Sequence, residues 1–267
     1  MPHIGFIGVG NMATAILGGI LKAELCPAEH IVLFDLAKEK CDQFQEKGAV
    51  RAACAGEVVS KCDIVFLAVK PQNYEDVLKE IASSASAKTV FVSIAAGIST
   101  EYISSQLGYD AKVVRAMPNT PLLLGEGATA LCCSSHVSKE EFETVKQIFE
   151  ASGIVAELRE EQMNAVIAVN GSSPAYVYLF AKAIIDAASD CYGIDREVAK
   201  RLLAQTLIGS AKMLTESGYS PDELIKMVSS PGGTTLKALD ALYDHDFPGA
   251  LKDAMERCTK RAEELGK

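Results

Sequence analysis

Two glycine-rich stretches of this chain have spacings with chemical meaning. The first, Ile7-Gly8-Val9-Gly10-Asn11-Met12-Ala13, follows a short apolar run and opens a stretch with helical periodicity. Glycines there allow a tight turn, and the free amides of a helix start face an anion such as a pyrophosphate. Asp35 closes the next β-branched run, 22 residues after Ala13, where a carboxylate accepts hydrogen bonds from ribose hydroxyls. The pairing favours dinucleotide binding over a glycine turn that merely lets a helix pack close to a strand. A carboxylate at Asp35 repels a 2′-phosphate and so leans towards NADH, while Lys38 and Lys40 soften that repulsion. The second stretch is Ser229-Ser230-Pro231-Gly232-Gly233-Thr234-Thr235. Its hydroxyls, flexible glycine backbone and following helix start offer a cradle for a carboxylate without any arginine, with a bare helix cap as the alternative.

Three further segments lie at the ends of β-branched runs, where open α/β sheets bind ligands. Ala68-Val69-Lys70-Pro71 and Ala95-Ala96-Gly97 suit ribose and nicotinamide contacts. Pro71 equally marks a plain helix start and Lys70 a solvated loop charge. Asn119 sits between two prolines in Arg115-Ala-Met-Pro-Asn-Thr-Pro121, a stiffened loop able to hold an amide against a ligand or to serve structure alone.

The elements that must position these residues are legible as patterns. Short runs at Ile4–Ile7, Ile31–Phe34, Ile64–Val69, Val90–Ile94, Lys112–Arg115, Thr129–Cys132 and Ile154–Leu158 alternate with helical stretches, as in a parallel sheet covered by helices. Ala13, Ile16, Leu17, Ile20 and Leu21 share one helical face. Ser138 to Glu141 and Ser220 to Glu223 have the form of capping boxes, the second with Pro221 at the first helical position. From residue 159 the strand signals vanish and helices follow one another. Residues 1–158 are therefore read as a Rossmann-like dinucleotide-binding domain and 159–267 as a helical domain. In the latter, Val177, Phe180, Ala181, Ile184, Ile185 and Ala188 form one stripe, and Tyr176, Tyr178 and Leu179 extend it around the helix. Such a helix must be buried on several sides, which calls for a second copy of the chain.

Composition fits this reading. The formal net charge of -9 argues against a nucleic-acid groove or a basic membrane patch. No apolar run approaches a membrane span and the N-terminus lacks the form of a leader, so a cytoplasmic location is expected. Eight cysteines without CxxC spacing suggest core residues rather than disulfides, and four scattered histidines give no reason to expect a metal ion.

Taken together, GFIGVGNMA, FLAVKPQ, AAGI, RAMPNTP, GSSPAY at Gly171–Tyr176 and MVSSPGGTTLKAL at Met227–Leu239 resemble the pyrroline-5-carboxylate reductase family in content and order. The resemblance implies NAD(P)H-dependent reduction of a cyclic imine to proline, NADPH being the usual cofactor. It also implies a helical domain interlocked with its twin, often in a decamer of five dimers, and a site shared between subunits. By the same resemblance Thr235 lies beside the substrate ring nitrogen, the preceding Ser-Gly region holds its carboxylate, and Glu161 matches an acidic position near substrate. Ser173 replaces a usual glycine, Ala55 a common asparagine near the adenosine, and Asp35 a neutral residue of NADPH-preferring members. A β-hydroxyacid dehydrogenase-like reading would nominate Lys182 as acid-base group, yet its spacing from Gly171 does not match that group. A dinucleotide sensor without turnover would not need the Ser229–Thr235 cradle.

Overall fold

A computed structural model describes residues 1–266. Among these, eight strands form one sheet: β1 (Ile4–Ile7), β2 (Ile31–Phe34), β3 (Val50–Arg51), β4 (Ile64–Leu67), β5 (Val90–Ser93), β6 (Lys112–Met117), β7 (Gly127–Cys133) and β8 (Gly153–Glu157). Their order is β3-β2-β1-β4-β5-β6-β7-β8. β1 to β6 are parallel, β7 runs antiparallel to β6, and β8 is parallel to β7.

The first six strands follow the doubly wound dinucleotide-binding order, with the switch point between β1 and β4. The sheet is mostly parallel, as expected, and the β6–β7 pairing alone is antiparallel. Residues 118–126 hold one 3-10 stretch, Thr120–Leu124, and are too few for the dozen-residue crossover that a parallel neighbour requires. β3 is also new relative to the sequence reading: its two residues are exposed and carry no apolar run. β4 and β5 end two and one residues before the expected limits, so Ala68 and Val69 belong to a loop.

β1, β4 and β5 are buried along their whole lengths because helices cover both faces. Ile4 and Phe6 enter a core with Ile16, Leu17 and Ile20 of α1 (Asn11–Lys22), Phe44 of α2 (Glu39–Gln45) and Val145, Ile148 and Phe149 of α6 (Lys139–Glu150). Ile7, Val65 and Leu67 enter the opposite core with α3 (Ala55–Lys61), α4 (Tyr74–Ile81) and α5 (Thr100–Leu107). Phe6 stacks on Phe66 at 4.5 Å and Phe149 meets Phe66 edge-on at 6.0 Å. Each such fully buried ring contributes about 2–3 kcal/mol by its removal from water. The expected box at α6 is formed: Ser138 Oγ accepts the Glu141 amide and Glu141 accepts the Ser138 amide.

The chain divides into two compact units at Ser172/Ser173, and from Glu256 onward it rejoins the first unit. The sequence boundary at 158/159 therefore precedes the physical one. The reason is a third cluster: Met163 of α7 (Met163–Val166) and Ile167 of the π-helical stretch Ile167–Gly171 pack with Met117, Ala130, Cys132 and Ala262. Ala262 belongs to α12 (Phe247–Leu265).

The second unit holds α8 (Ser173–Tyr192), α9 (Arg196–Glu216), α10 (Pro221–Met227), α11 (Thr234–Asp244) and the first part of α12. Asp195 caps α9 by accepting the Glu197 and Val198 amides. Ser220 and Glu223 form the expected box at α10, with Pro221 in its first turn. Ser173 is the first residue of α8. Ala199 is the one buried residue of 173–255. On α8, Val177, Tyr178, Leu179, Phe180 and Ile184 are all exposed. Among the described residues no helix is long and apolar enough to cross a membrane.

Candidate functional site

The glycine loop between β1 and α1 lies at the carboxyl edge of the sheet. Gly8 has φ +94°, and a Cβ there would stand 2.6 Å from the Ala68 carbonyl, so both conformation and space demand glycine. Its amide donates to the Phe34 carbonyl at 2.8 Å. Gly10 is the N-cap of α1 in an extended conformation, with no side-chain cap, no acidic residue in the first helical turn and open space where a Cβ would be. An uncapped helix start approached through glycine fits a dinucleotide pyrophosphate, and the first-turn amides, starting at Asn11 and Met12, would hold it.

Asp35 is where the sequence places it, just past the end of β2, but its carboxylate is already engaged. Oδ2 accepts the Val9 amide at 2.7 Å and Oδ1 the Ala37 amide at 2.9 Å, with the Lys40 ammonium 3.4 Å away. Burial pushes this carboxyl up, yet the Val9 and Ala37 amides and Lys40 outweigh it and hold it below the ordinary carboxylate range. Asp35 is thus ionised at neutral pH. Val9, expected at the cofactor, turns its amide to Asp35 instead.

Lys70 is exposed and precedes the 3-10 stretch Pro71–Asn73. Ala68 and Val69 are half-buried and Ala95 is buried beside a half-buried Ala96. Gly97 is buried with φ +83°, and a Cβ there would strike the Ala262 carbonyl of α12, so this glycine is required by packing. Asn119 is only 8% exposed and both ends of its amide are used: Oδ1 accepts the Ala128 amide at 2.9 Å and Nδ2 donates to the Asn170 carbonyl at 3.2 Å. Asn170 in turn donates to the carbonyls of Met117 and Ala128. The stiff loop is therefore clasped to the π-helical stretch, a structural use of an amide expected at the ligand.

Glu161 is exposed, 3.7 Å from Arg159. Its neighbour Glu160 points inward. It accepts from the buried Arg115 guanidinium at 2.9 Å and from the Cys132 thiol at 3.1 Å. Burial, reinforced by Glu160, pushes that thiol well above its ordinary value. This cluster was missed by sequence reasoning, although an arginine inside an apolar run was the available signal. Tyr74 was missed too: its fully buried hydroxyl donates to the Leu67 carbonyl at 2.7 Å and lies 2.9 Å from Ser93 Oγ, tying the ends of β4 and β5.

In the second unit, Ser230 to Gly233 form a turn closed by the Gly233 amide on the Ser230 carbonyl at 2.9 Å. Pro231 and a left-handed Gly232 (φ +72°) occupy its two central positions, as a type II turn requires. Gly233 then caps α11, again with no side-chain cap and no acid in the first turn, and Thr234 and Thr235 are its first residues. The Ser229 hydroxyl is buried without a hydrogen-bond partner among the described residues. Lys182 is bonded to Asp186, which also takes Arg196, so it is an exposed ion-paired lysine rather than an acid-base group.

The doubly wound sheet, its uncapped glycine loop and the appended helices define a nicotinamide-dependent oxidoreductase with a helical association domain. Residues 3–97 match the profile described as NADP oxidoreductase, coenzyme F420-dependent, and residues 160–265 match pyrroline-5-carboxylate reductase dimerisation. The pyrroline-5-carboxylate reductase of Escherichia coli is 40% identical over 99% of this chain and 98% of its own length. Pyrroline-5-carboxylate reductase 3 of Danio rerio is 37% identical over 98% of this chain and 91% of its own. The crystal structure of Plasmodium falciparum pyrroline carboxylate reductase with NADP bound superposes with a TM-score of 0.92 at 31% identity, covering 100% and 98% of the two chains. The chain belongs to the pyrroline-5-carboxylate reductase family. Its dimerisation domain accounts for the apolar helices of the second unit: the chain oligomerises.

Proposed function

We propose that this protein reduces 1-pyrroline-5-carboxylate to L-proline. The observation that carries the reading is full-length identity of 40% to a pyrroline-5-carboxylate reductase, together with an uncapped helix start at Gly233. The reduced nicotinamide supplies a hydride to the imine carbon when bound. The chain binds and orients. Gly8, Gly10 and the first-turn amides of α1 receive the pyrophosphate, with Ala68–Pro71, Ala95–Gly97 and Asn119 around the remainder of the cofactor. The turn at Ser229–Gly233 and the free amides of α11 receive the substrate carboxylate, where the positive end of the helix favours an anion. The Thr235 hydroxyl orients or protonates the ring nitrogen, and Glu161 is a secondary substrate contact. An imine that arrives protonated needs no ionised acid, so positioning supplies most of the catalysis.

NADH is the favoured cofactor, because an ionised Asp35 repels a 2′-phosphate and Lys40 cancels only part of that field. The functional division falls at 158/159, the working unit is a homodimer extending to a decamer of five dimers, and the enzyme acts in the cytoplasm. Consumption of NADH and NADPH by purified protein with 1-pyrroline-5-carboxylate tests the function. Turnover, faster with NADH, is expected; tight dinucleotide binding without turnover overturns the reductase reading.

A further inference from the structure

We propose that Asp35 is a positioning residue for the phosphate-binding loop, setting the affinity for both dinucleotides and not only the choice between them. The inference rests on the dinucleotide reading above and deepens it. The loop hangs from the end of β2 by two consecutive bonds: the Gly8 amide to the Phe34 carbonyl at 2.8 Å and the Val9 amide to Asp35 Oδ2 at 2.7 Å. Val9 lies between the two glycines and the whole residue is 2% exposed, so its amide has little solvent to turn to. Asp35 is itself fixed, because its other oxygen accepts the Ala37 amide and its side chain is 11% exposed. Without the carboxylate, the Val9 amide loses its partner in a part-buried position, a costly state that the loop relieves only by moving. Movement there displaces Gly10 and the first-turn amides of α1, the groups that meet the pyrophosphate common to NADH and NADPH.

Discrimination follows a separate route. Each carboxylate oxygen accepts one backbone amide and a long contact from the Lys40 ammonium, at 3.4 and 3.5 Å, so ribose hydroxyls compete with Lys40 for the remaining lone pairs, while the same cation weakens the field felt by a 2′-phosphate. The strut is therefore the larger part of what Asp35 does, and the discriminator the smaller.

The test is direct binding of NADH and of NADPH, without substrate, to wild type, Asp35→Ala and Asp35→Asn, with circular dichroism to verify folding. Asp35→Ala is expected to weaken both dinucleotides by about tenfold, the order set by one lost charge-assisted bond, with their affinity ratio changing less than about threefold. Asp35→Asn, whose amide oxygen still accepts from Val9, is expected to restore part of the lost affinity for both dinucleotides. Stronger NADPH binding alongside weaker NADH binding, or no loss for either dinucleotide, overturns the proposal; if the alanine variant does not fold, the same comparison is made on Asp35→Asn. A wild type that binds dinucleotides but does not reduce the imine defeats the functional reading and leaves this inference standing.

Discussion

At Gly8 a left-handed φ and the nearby Ala68 carbonyl exclude any side chain. Gly8→Ala is therefore expected to lose about 1–3 kcal/mol of stability and measurable dinucleotide affinity, checked by denaturant unfolding and NADH titration. Thr235 tests the other half of the chemistry. Thr235→Ala should lower kcat by about 10²-fold in steady-state kinetics, with a smaller rise in substrate KM and unchanged NADH binding. The glycine loop and Asp35 were legible in the sequence because their spacing has a fixed meaning on a strand-turn-helix unit. The direction of the Val9 amide was not, since a turn's carbonyls and amides rotate without leaving a trace in residue types. Nor could the sequence tell Glu160 from Glu161. Consecutive residues on a 3-10 turn point about 120° apart, and only the fold says which of them meets Arg115.

Helix starts are the most legible elements, because a capping box is local chemistry. Ser138→Ala should cost about 1 kcal/mol, read by urea unfolding. Glu141 adds a pH signature. Burial pushes its carboxyl up, but the Lys112 ammonium at 2.5 Å and the Ser138 amide and hydroxyl outweigh it and hold it below its ordinary value. A lowered folded value means the contribution is complete above the unfolded carboxylate value of about 4.3 and disappears as pH falls through the folded one. Glu141→Gln should therefore be less stable than wild type near neutral pH, and the difference should close in acid. The turn at β7 was less legible: its residues read as a strand, and only the short connection through Thr120–Leu124 dictates that it runs backwards. β3 has no signal at all, being two exposed residues on the sheet edge.

Over the whole molecule, the helical unit is the part that one chain does not complete. Ala199 alone is buried in residues 173–255, while α8 exposes a series of large apolar side chains. A surface of that kind is stable when a second copy covers it. The all-round apolar pattern of α8 made this legible in the sequence, whereas the return of the chain end to the first unit was not, because α12 has no break at Glu256. Phe180→Glu should place a charge in the covered face, shifting the oligomer to monomer by light scattering and removing activity with it. The reductase reaction requires that a hydride pass from reduced nicotinamide to the imine carbon. Dinucleotide deuterated at the transferable position, incubated with 1-pyrroline-5-carboxylate, tests this most directly. Proline carrying one deuterium at Cδ, by mass and by NMR, is the expected product; unlabelled proline, or label kept in the dinucleotide, would contradict hydride transfer to the imine.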